Sequence, residues 1–374
     1  MAPVKILFDY QVFLAQRYGG ISRYFVELIR ELAGRPDCDI TVLAGLHRNE
    51  LLASLPARPG LRIVGWRLPR WLPGRRLYGG INRCFFALAA PRIGPDIYHA
   101  TYYKVLAPRL RTRRVFTVYD MIHELHPGPL AARDPTPRRK QQAVQRADHL
   151  VCISRHTRDD LIRLLGVAAG KTTVTHLAGS LRATPRAGRP HPQPYLLYVG
   201  DRDGYKNADL VGRTLASQPD LRPQFHLVFF GGPPFTRAEQ QRLTDLGLGG
   251  QTHRVTGSDE DLATWYAHAF ALVYPSHYEG FGIPPLEAMQ YGCPVLASDR
   301  SSLPEVVGEA ARLFDPDSET SLADALRELV DNPAERADLL CKGQQHHQWF
   351  TWKACADRTQ SVYASLMPPP AHHE

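Results

Sequence analysis

The run Glu279-Gly280-Phe281-Gly282-Ile283-Pro284-Pro285-Leu286-Glu287, set just behind the apolar stretch Ala271–Pro275, decides how this chain is read. An apolar run, a loop with two glycines and then prolines at a helix start make a strand, a turn and a helix. Such a turn is an anion site on physical grounds: the glycines let backbone N–H groups approach a ligand, and the helix N-terminus carries partial positive charge. Pro285 near the first helical position and Glu287 in the first turn fit that reading. Glu287 would then meet neutral hydroxyls such as a ribose, and Glu279 would face the group beyond the phosphates. Taken alone, the run is equally a loop whose glutamates are solvated, with Glu287 only complementing the helix dipole.

Outward from this run, short apolar stretches alternate with helical patterns, which is how a parallel α/β sheet reads. Downstream, strands are expected at Pro294–Ser298 and Ala311–Phe314, followed by a helix at Leu322–Asp331 and one last helix over about Phe350–Leu366. Upstream, the same series begins at Tyr195–Gly200 and continues with His226–Gly231 and His253–Thr256. Arg182–Pro194, rich in proline and arginine, breaks the pattern and is expected to be a linker. Ahead of it a first series runs through Val4–Asp9, Asp39–Ala44, Leu61–Val64, Ile97–His99, Arg114–Tyr119, His149–Ile153 and Val174–Leu177, with helices from Ile21 and at Thr157–Leu165. At 374 residues, two domains are expected. They are placed at 1–185 and 186–348, with 349–374 as a helix crossing back to the first domain plus a tail. Two consecutive doubly wound sheets bind ligands at the carboxyl ends of their strands.

Composition bounds the class. Hydrophobic residues make up 44% and charged residues 22%, as in an ordinary globular protein. No apolar stretch approaches the roughly 20 residues of a membrane-spanning helix. Met1-Ala2-Pro3-Val4-Lys5 runs straight into a strand and leaves no room for a signal peptide, so a cytoplasmic location is expected. The six cysteines, without CxxC pairs, read as buried free thiols. A formal charge of +8 suits anionic partners. It also prompts a nucleic-acid-binding reading, but no recognition motif accompanies it.

The longer run EGFGIPPLEAMQYGCPVLASDRSSLPEVVG, residues 279–308, resembles the signature of glycosyltransferase family 4. Resemblance continues at Tyr198–Asn207, Phe229–Gly232, Ser258–Leu262 with Tyr266, and Trp352, and is strongest between residues 195 and 316. It implies a GT-B fold and transfer of sugar from a nucleotide-sugar donor with retention of anomeric configuration. By the same resemblance, Arg202 and Lys206 contact the donor diphosphate, and Glu279 holds the sugar hydroxyls near the amides of Phe281, Gly282 and Ile283. Glu287 is implied to hold the ribose, and Gly200 and Gly231 to line the donor site. Asp201 stands where many members carry the arginine, which makes Lys206 the firmer assignment. Asp201-Arg202-Asp203 imitates a metal-holding Asp-x-Asp motif, but a fixed cation beside it does the metal's work, so no metal cofactor is expected.

In the first half, Gly19-Gly20 before a helix would close amides over the diphosphate, and a plain helix start is the competing reading. Asp120, behind the strand ending at Tyr119, would orient acceptor or sugar, or equally cap the following turn. The Tyr119-Asp120-Met121-Ile122 form, with Gly19–Tyr24, resembles the bacterial mannosyltransferases that build O-antigen polysaccharides. That implies GDP-mannose as donor and a glycan or polyprenyl-linked glycan as acceptor. Another GDP- or UDP-sugar with a soluble acceptor is the alternative. The arginine and aromatic mixture of Trp66–Phe86 suits peripheral contact with an anionic membrane, or a loop and helix packed on the first domain. No nucleic-acid partner is expected.

Overall fold

The computed structural model describes residues 2–69, 71–72, 75–106, 109–127, 133–202 and 204–368. Asp203 of the Asp-x-Asp imitation, Arg70, Pro73 and Gly74 of the arginine and aromatic segment, and the tail from 369 lie outside the described residues. The chain forms two compact units, Met1–Leu177 with Trp352–Glu374, and Ala178–Thr351.

The first unit is built on seven parallel strands: β1 (Val4–Phe8), β2 (Cys38–His47), β3 (Leu61–Arg67), β4 (Ile97–Ala100), β5 (Arg113–Val118), β6 (His149–Cys152) and β7 (Thr172–Val174). Their order is β3-β2-β1-β4-β5-β6-β7. Parallel strands need crossovers on both faces, so central strands are apolar throughout rather than alternating. Ile6, Leu7 and Phe8 are all buried accordingly, as are Val115, Phe116 and Val118. Each such aliphatic or aromatic side chain contributes roughly 1.5–3 kcal/mol by leaving water. Strand order reverses direction between β1 and β4, which makes their carboxyl ends the switch point of this sheet.

The helix Trp352–Ser365 belongs to the first unit although it closes the chain. Its Trp352, Cys355, Ala356, Thr359, Val362 and Tyr363 are buried, a three-and-four spacing that lays one face against Gly20–Leu32. Arg35 Nη1 meets Asp357 at 2.8 Å, and the Tyr363 hydroxyl lies 2.6 Å from His99 Nδ1. The Trp66–Phe86 segment divides in two. Asn82 is buried, clipping the backbone of Leu46 on β2 from both sides (2.8 and 2.9 Å), and Phe86 packs on Tyr98. Trp66 and Trp71, by contrast, are about 80% exposed (80% and 79%). Gly45 is required here: it sits at φ +57°, and a Cβ would stand 2.4 Å from Asn82 Oδ1.

The second unit repeats the plan with six parallel strands: β8 (Tyr195–Val199), β9 (His226–Phe230), β10 (Thr252–Val255), β11 (Ala271–Tyr274), β12 (Val295–Ser298) and β13 (Arg312–Phe314). Their order is β10-β9-β8-β11-β12-β13, so the switch point falls between β8 and β11. The expected linker is fastened to this unit: the carbonyls of Leu181 and Ala183 accept bonds from the Tyr291 hydroxyl, and Arg186 N donates to Thr264 Oγ1 at 2.7 Å. A helix at Pro333–His346 precedes the last one, where a single final helix was expected. Only Leu339 and Gly343 are buried on it, so its polar sequence carries no apolar stripe to read. Cys84 and Cys341 are exposed, correcting the reading of all six cysteines as buried; the four others are buried.

Candidate functional site

Two loops meet at the β8/β11 switch point. After β8, Gly200 takes φ +130°, and a short turn at Gly204–Lys206 delivers Lys206. After β11, the chain runs through Ser276 to Glu279. His277 N donates to the Tyr205 carbonyl at 2.8 Å and stitches the two loops together. Lys206 Nζ then donates to Glu279 Oε1 at 2.7 Å, with the lysine side chain 19% and the glutamate 11% exposed. Burial disfavours the ammonium, but the Glu279 carboxylate outweighs it and holds the Lys206 pKa above that of an ordinary lysine. Tyr274, at the end of β11, is pushed far above the usual phenol range by burial and then by Glu279. The Lys206 ammonium also lies 5.3 Å from the Tyr205 ring centre.

Two serines that sequence reading passed over set the shape of the Glu279–Phe281 loop. Ser301 Oγ accepts from Glu279 N at 2.8 Å, while Ser302 Oγ donates to the carbonyls of Glu279 (2.8 Å) and Phe281 (2.9 Å). They lie within the 279–308 run, where a serine pair ahead of a Leu-Pro helix start reads simply as a turn. Phe281 is buried against Phe350. Gly282 caps the helix Ile283–Gln290 in the left-handed region (φ +100°), and a Cβ there would stand 2.7 Å from Leu303 Cδ2.

Glu287 is the fifth residue of that helix and lies beyond the first turn, where it had been expected. The helix begins at Ile283, ahead of both prolines. Its carboxylate is buried and makes long contacts of 3.5 Å, one from the Tyr266 hydroxyl and one from Ser180 N. Burial and then Glu287 raise the Tyr266 pKa far above that of a free phenol, so the hydroxyl is a donor at every working pH.

Arg202, in the loop after β8, is held by partners near the start of the Arg237–Asp245 helix. Its guanidinium binds Glu239 (Nε to Oε1, 2.8 Å) and the Pro233 carbonyl (2.8 Å), and lies over the Phe235 ring at 4.5 Å. Burial opposes ionisation of Glu239, yet Arg202 and Thr236 overcome it and bring its pKa down to about 2. Gly231, at φ +85°, donates its N–H to Val255 O at 2.9 Å, within the strand-end ladder.

In the first unit, Gly19 precedes the helix Gly20–Leu32, and the Gln16 side chain occupies part of that helix start by accepting from Ser22 N at 2.9 Å. Ser22 Oγ donates in turn to the Gly19 carbonyl at 3.0 Å. Asp120 Oδ1 accepts from Ile122 N at 3.1 Å, a local turn, and lies 4.0 Å from Lys140 Nζ. The fully buried Lys140 donates to the Asp120 carbonyl (2.8 Å) and Glu124 (2.7 Å).

At the β1/β4 switch point, the buried Asp9 accepts from Thr101, Tyr98 and Gln11. Burial outweighs these bonds, and its pKa is raised. Gln11 Nε2 reaches on to the carbonyls of Tyr102 (3.2 Å) and Lys104 (2.9 Å), so one side chain ties the two loops. A cavity of about 920 Å³ opens beside this network, and Arg76, Arg83, Lys104 and Arg139 are among its lining residues.

Residues 18–178 match the family described as Glycosyltransferase Family 4, and residues 182–346 match glycosyl transferases group 1. The chain is 30% identical to D-inositol 3-phosphate glycosyltransferase 1 of Catenulispora acidiphila, over 93% of this chain and 91% of that protein. The chain belongs to the GT-B glycosyltransferases. It is 29% identical to O-antigen chain mannosyltransferase B of Escherichia coli, over 93% of this chain and 96% of that one. Among solved structures, sucrose-phosphate synthase from Thermosynechococcus elongatus has the same fold, with a TM-score of 0.77 at 23% identity, covering 97% of this chain and 99% of that one. This GT-B glycosyltransferase is thus a nucleotide-sugar-dependent enzyme with two doubly wound parallel sheets. Enzymes of this fold typically act without a required metal, as expected for this chain from its sequence. Among the described residues, no helix is long and apolar enough to cross a membrane.

Proposed function

We propose that the enzyme moves mannose from GDP-mannose onto a glycan or polyprenyl-linked glycan acceptor in building a bacterial surface polysaccharide, with retention of configuration. The observation that carries the donor site is the Lys206–Glu279 pair at the β8/β11 switch point. A donor diphosphate replaces Glu279 as the counter-ion of Lys206, and Glu279 turns to accept bonds from the sugar hydroxyls. Glu287 receives the ribose, and the start of Ile283–Gln290 adds amides for the phosphates. The bond from the sugar's anomeric carbon to the diphosphate breaks as Lys206 stabilises the departing oxygen. The acceptor hydroxyl attacks from that same face, and a phosphate oxygen takes its proton. Arg202, Gly19, Gly20, Gly200 and Gly231 are proposed to support the donor from their loops, and Asp120 to orient the acceptor or sugar.

Mannose and the lipid-linked acceptor rest on the likeness to the O-antigen mannosyltransferase, and exposed Trp66 and Trp71 favour peripheral contact with an anionic membrane on the cytoplasmic side. One observation favours a second reading, another GDP- or UDP-sugar with a soluble acceptor. The basic cavity of the first unit suits a phosphorylated polyol, and several relatives are D-inositol 3-phosphate glycosyltransferases. A matrix of GDP- and UDP-sugars against polyprenyl-diphosphate glycans and phosphorylated polyols separates the two. Turnover with GDP-mannose and the lipid-linked glycan, giving a retained product, is the expected result. Turnover confined to a soluble acceptor transfers the assignment to the second reading, and an inverted product removes the same-face attack.

A further inference from the structure

Three histidines, absent from the sequence reading, meet at the amino-terminal edge of the second sheet. His226 opens β9, His253 is the second residue of β10, and His191 lies just ahead of β8. Pairing of β9 with β10 sets the rings of His226 and His253 parallel (5°) with centroids 5.2 Å apart, and puts His226 Nδ1 2.9 Å from His253 Nε2. His226 N donates to the Pro194 carbonyl at 2.9 Å, which draws the His191 segment alongside. The His191 ring lies 4.7 Å from that of His226 and 4.9 Å from that of His253. One ring nitrogen from each residue falls within 4.8 Å of the other two, and all three side chains are half-buried.

We propose that His191, His226 and His253 bind a divalent cation of the zinc class, which staples the 191–194 segment to β9 and β10.

The spacing suits such an ion. Zinc–nitrogen bonds of 2.0–2.1 Å in a tetrahedron put neighbouring ligand atoms about 3.3 Å apart. The His226–His253 contact of 2.9 Å needs to open by only a few tenths of an ångström, with the ion replacing the proton the two rings share. His191 Nδ1 lies 3.1 Å from the Gln193 carbonyl and 3.2 Å from Gln193 N, so the backbone of Gln193 holds the ring in place beside the other two. The cluster consists of imidazoles alone, which selects a zinc-like ion over calcium or magnesium, whose ligands are oxygens. Because every strand is parallel, these histidines stand at the opposite ends of the strands from Lys206 and Glu279. Five-residue strands put roughly 16 Å between the two ends. The ion is therefore a staple, separate from sugar transfer.

The test uses full-length protein stripped with a chelator. Cobalt(II) should give the intense visible bands of a four-coordinate site, and zinc should abolish them and raise Tm. X-ray absorption of the zinc form should count about three imidazole ligands. His226→Asn with His253→Asn, or His191→Ala alone if the double variant misfolds, should weaken zinc binding on the order of 100-fold or more. His346→Gln with His347→Gln should leave it unchanged. Cobalt binding that is six-coordinate, or zinc binding no tighter in the wild type than in the variants, would overturn the proposal.

Discussion

The two sheets have one topology but opposite chemistry at their switch points. At β8/β11, the loops are joined by a charged pair, Lys206 with Glu279, whose partners are each suited to a different part of a donor. At β1/β4, they are joined by a buried hydrogen-bond network: the Asp9 carboxyl accepts from Tyr98 and Thr101, and Gln11 donates to two backbone carbonyls. A charged pair in a partly open site can exchange one partner for a ligand with little loss of electrostatic energy. A buried network of directional bonds cannot, because each bond removed strands a polar group. On the proposed function, one switch point is opened by substrate, while the other holds its loops still beside a basic cavity.

The sharpest way to break this comparison is Lys206→Ala. It removes the cation proposed to face the leaving diphosphate and leaves the Glu279 carboxylate without its ion-pair partner. Loss of a preorganised charge at the site of charge development costs about 10²–10³ in kcat, roughly 3–4 kcal/mol. Steady-state rates with donor and acceptor check it, and Lys206→Arg should recover part of the loss. An unchanged kcat in a folded Lys206→Ala protein would remove the electrostatic core of the mechanism.

Asp9→Ala tests the other side. It strands the fully buried Tyr98 hydroxyl, leaves the buried Thr101 hydroxyl with only its backbone partners Val12 N and Asp9 O, and removes one of the partners of the Gln11 side chain. The expected cost is about 3 kcal/mol of stability, read from the midpoint of denaturant unfolding. Donor binding in the second unit should be little altered. If Asp9→Ala instead leaves stability intact and abolishes turnover, the β1/β4 network is a working site rather than a brace.

These differences explain what could be read from the chain. Both sheets were legible because buried parallel strands are continuous apolar runs, and the Glu279–Glu287 run lay at the second switch point because glycines and prolines mark a strand-to-helix turn. Partnerships were not legible. Nothing in Asp201-Arg202 announces that Arg202 turns to Glu239, 37 positions away, or that Gln16 fills the helix start beside Gly19. The Pro333–His346 helix and the three histidines share that obscurity, since each is specified by contacts between distant segments and not by local periodicity.

The smallest expected effect concerns pH and the first unit's neutral wiring. His99 is fully buried, with Nδ1 2.6 Å from the Tyr363 hydroxyl and Nε2 2.8 Å from Thr117 Oγ1, and burial brings its pKa down to about 3. In the unfolded chain the same imidazole titrates near 6.5. Between those values the unfolded state binds the extra proton, so stability is fully present above about pH 6.5 and falls as pH drops toward 3. The slope is at most about 1.4 kcal/mol per pH unit. Because Tyr363 lies on the closing helix, His99 couples that helix to the sheet. His99→Gln should flatten this part of the stability–pH curve measured by urea unfolding from pH 7 to 5, at the cost of a lower plateau at pH 7. A curve of unchanged slope in His99→Gln would assign the acid sensitivity to other groups and leave His99 only its packing role.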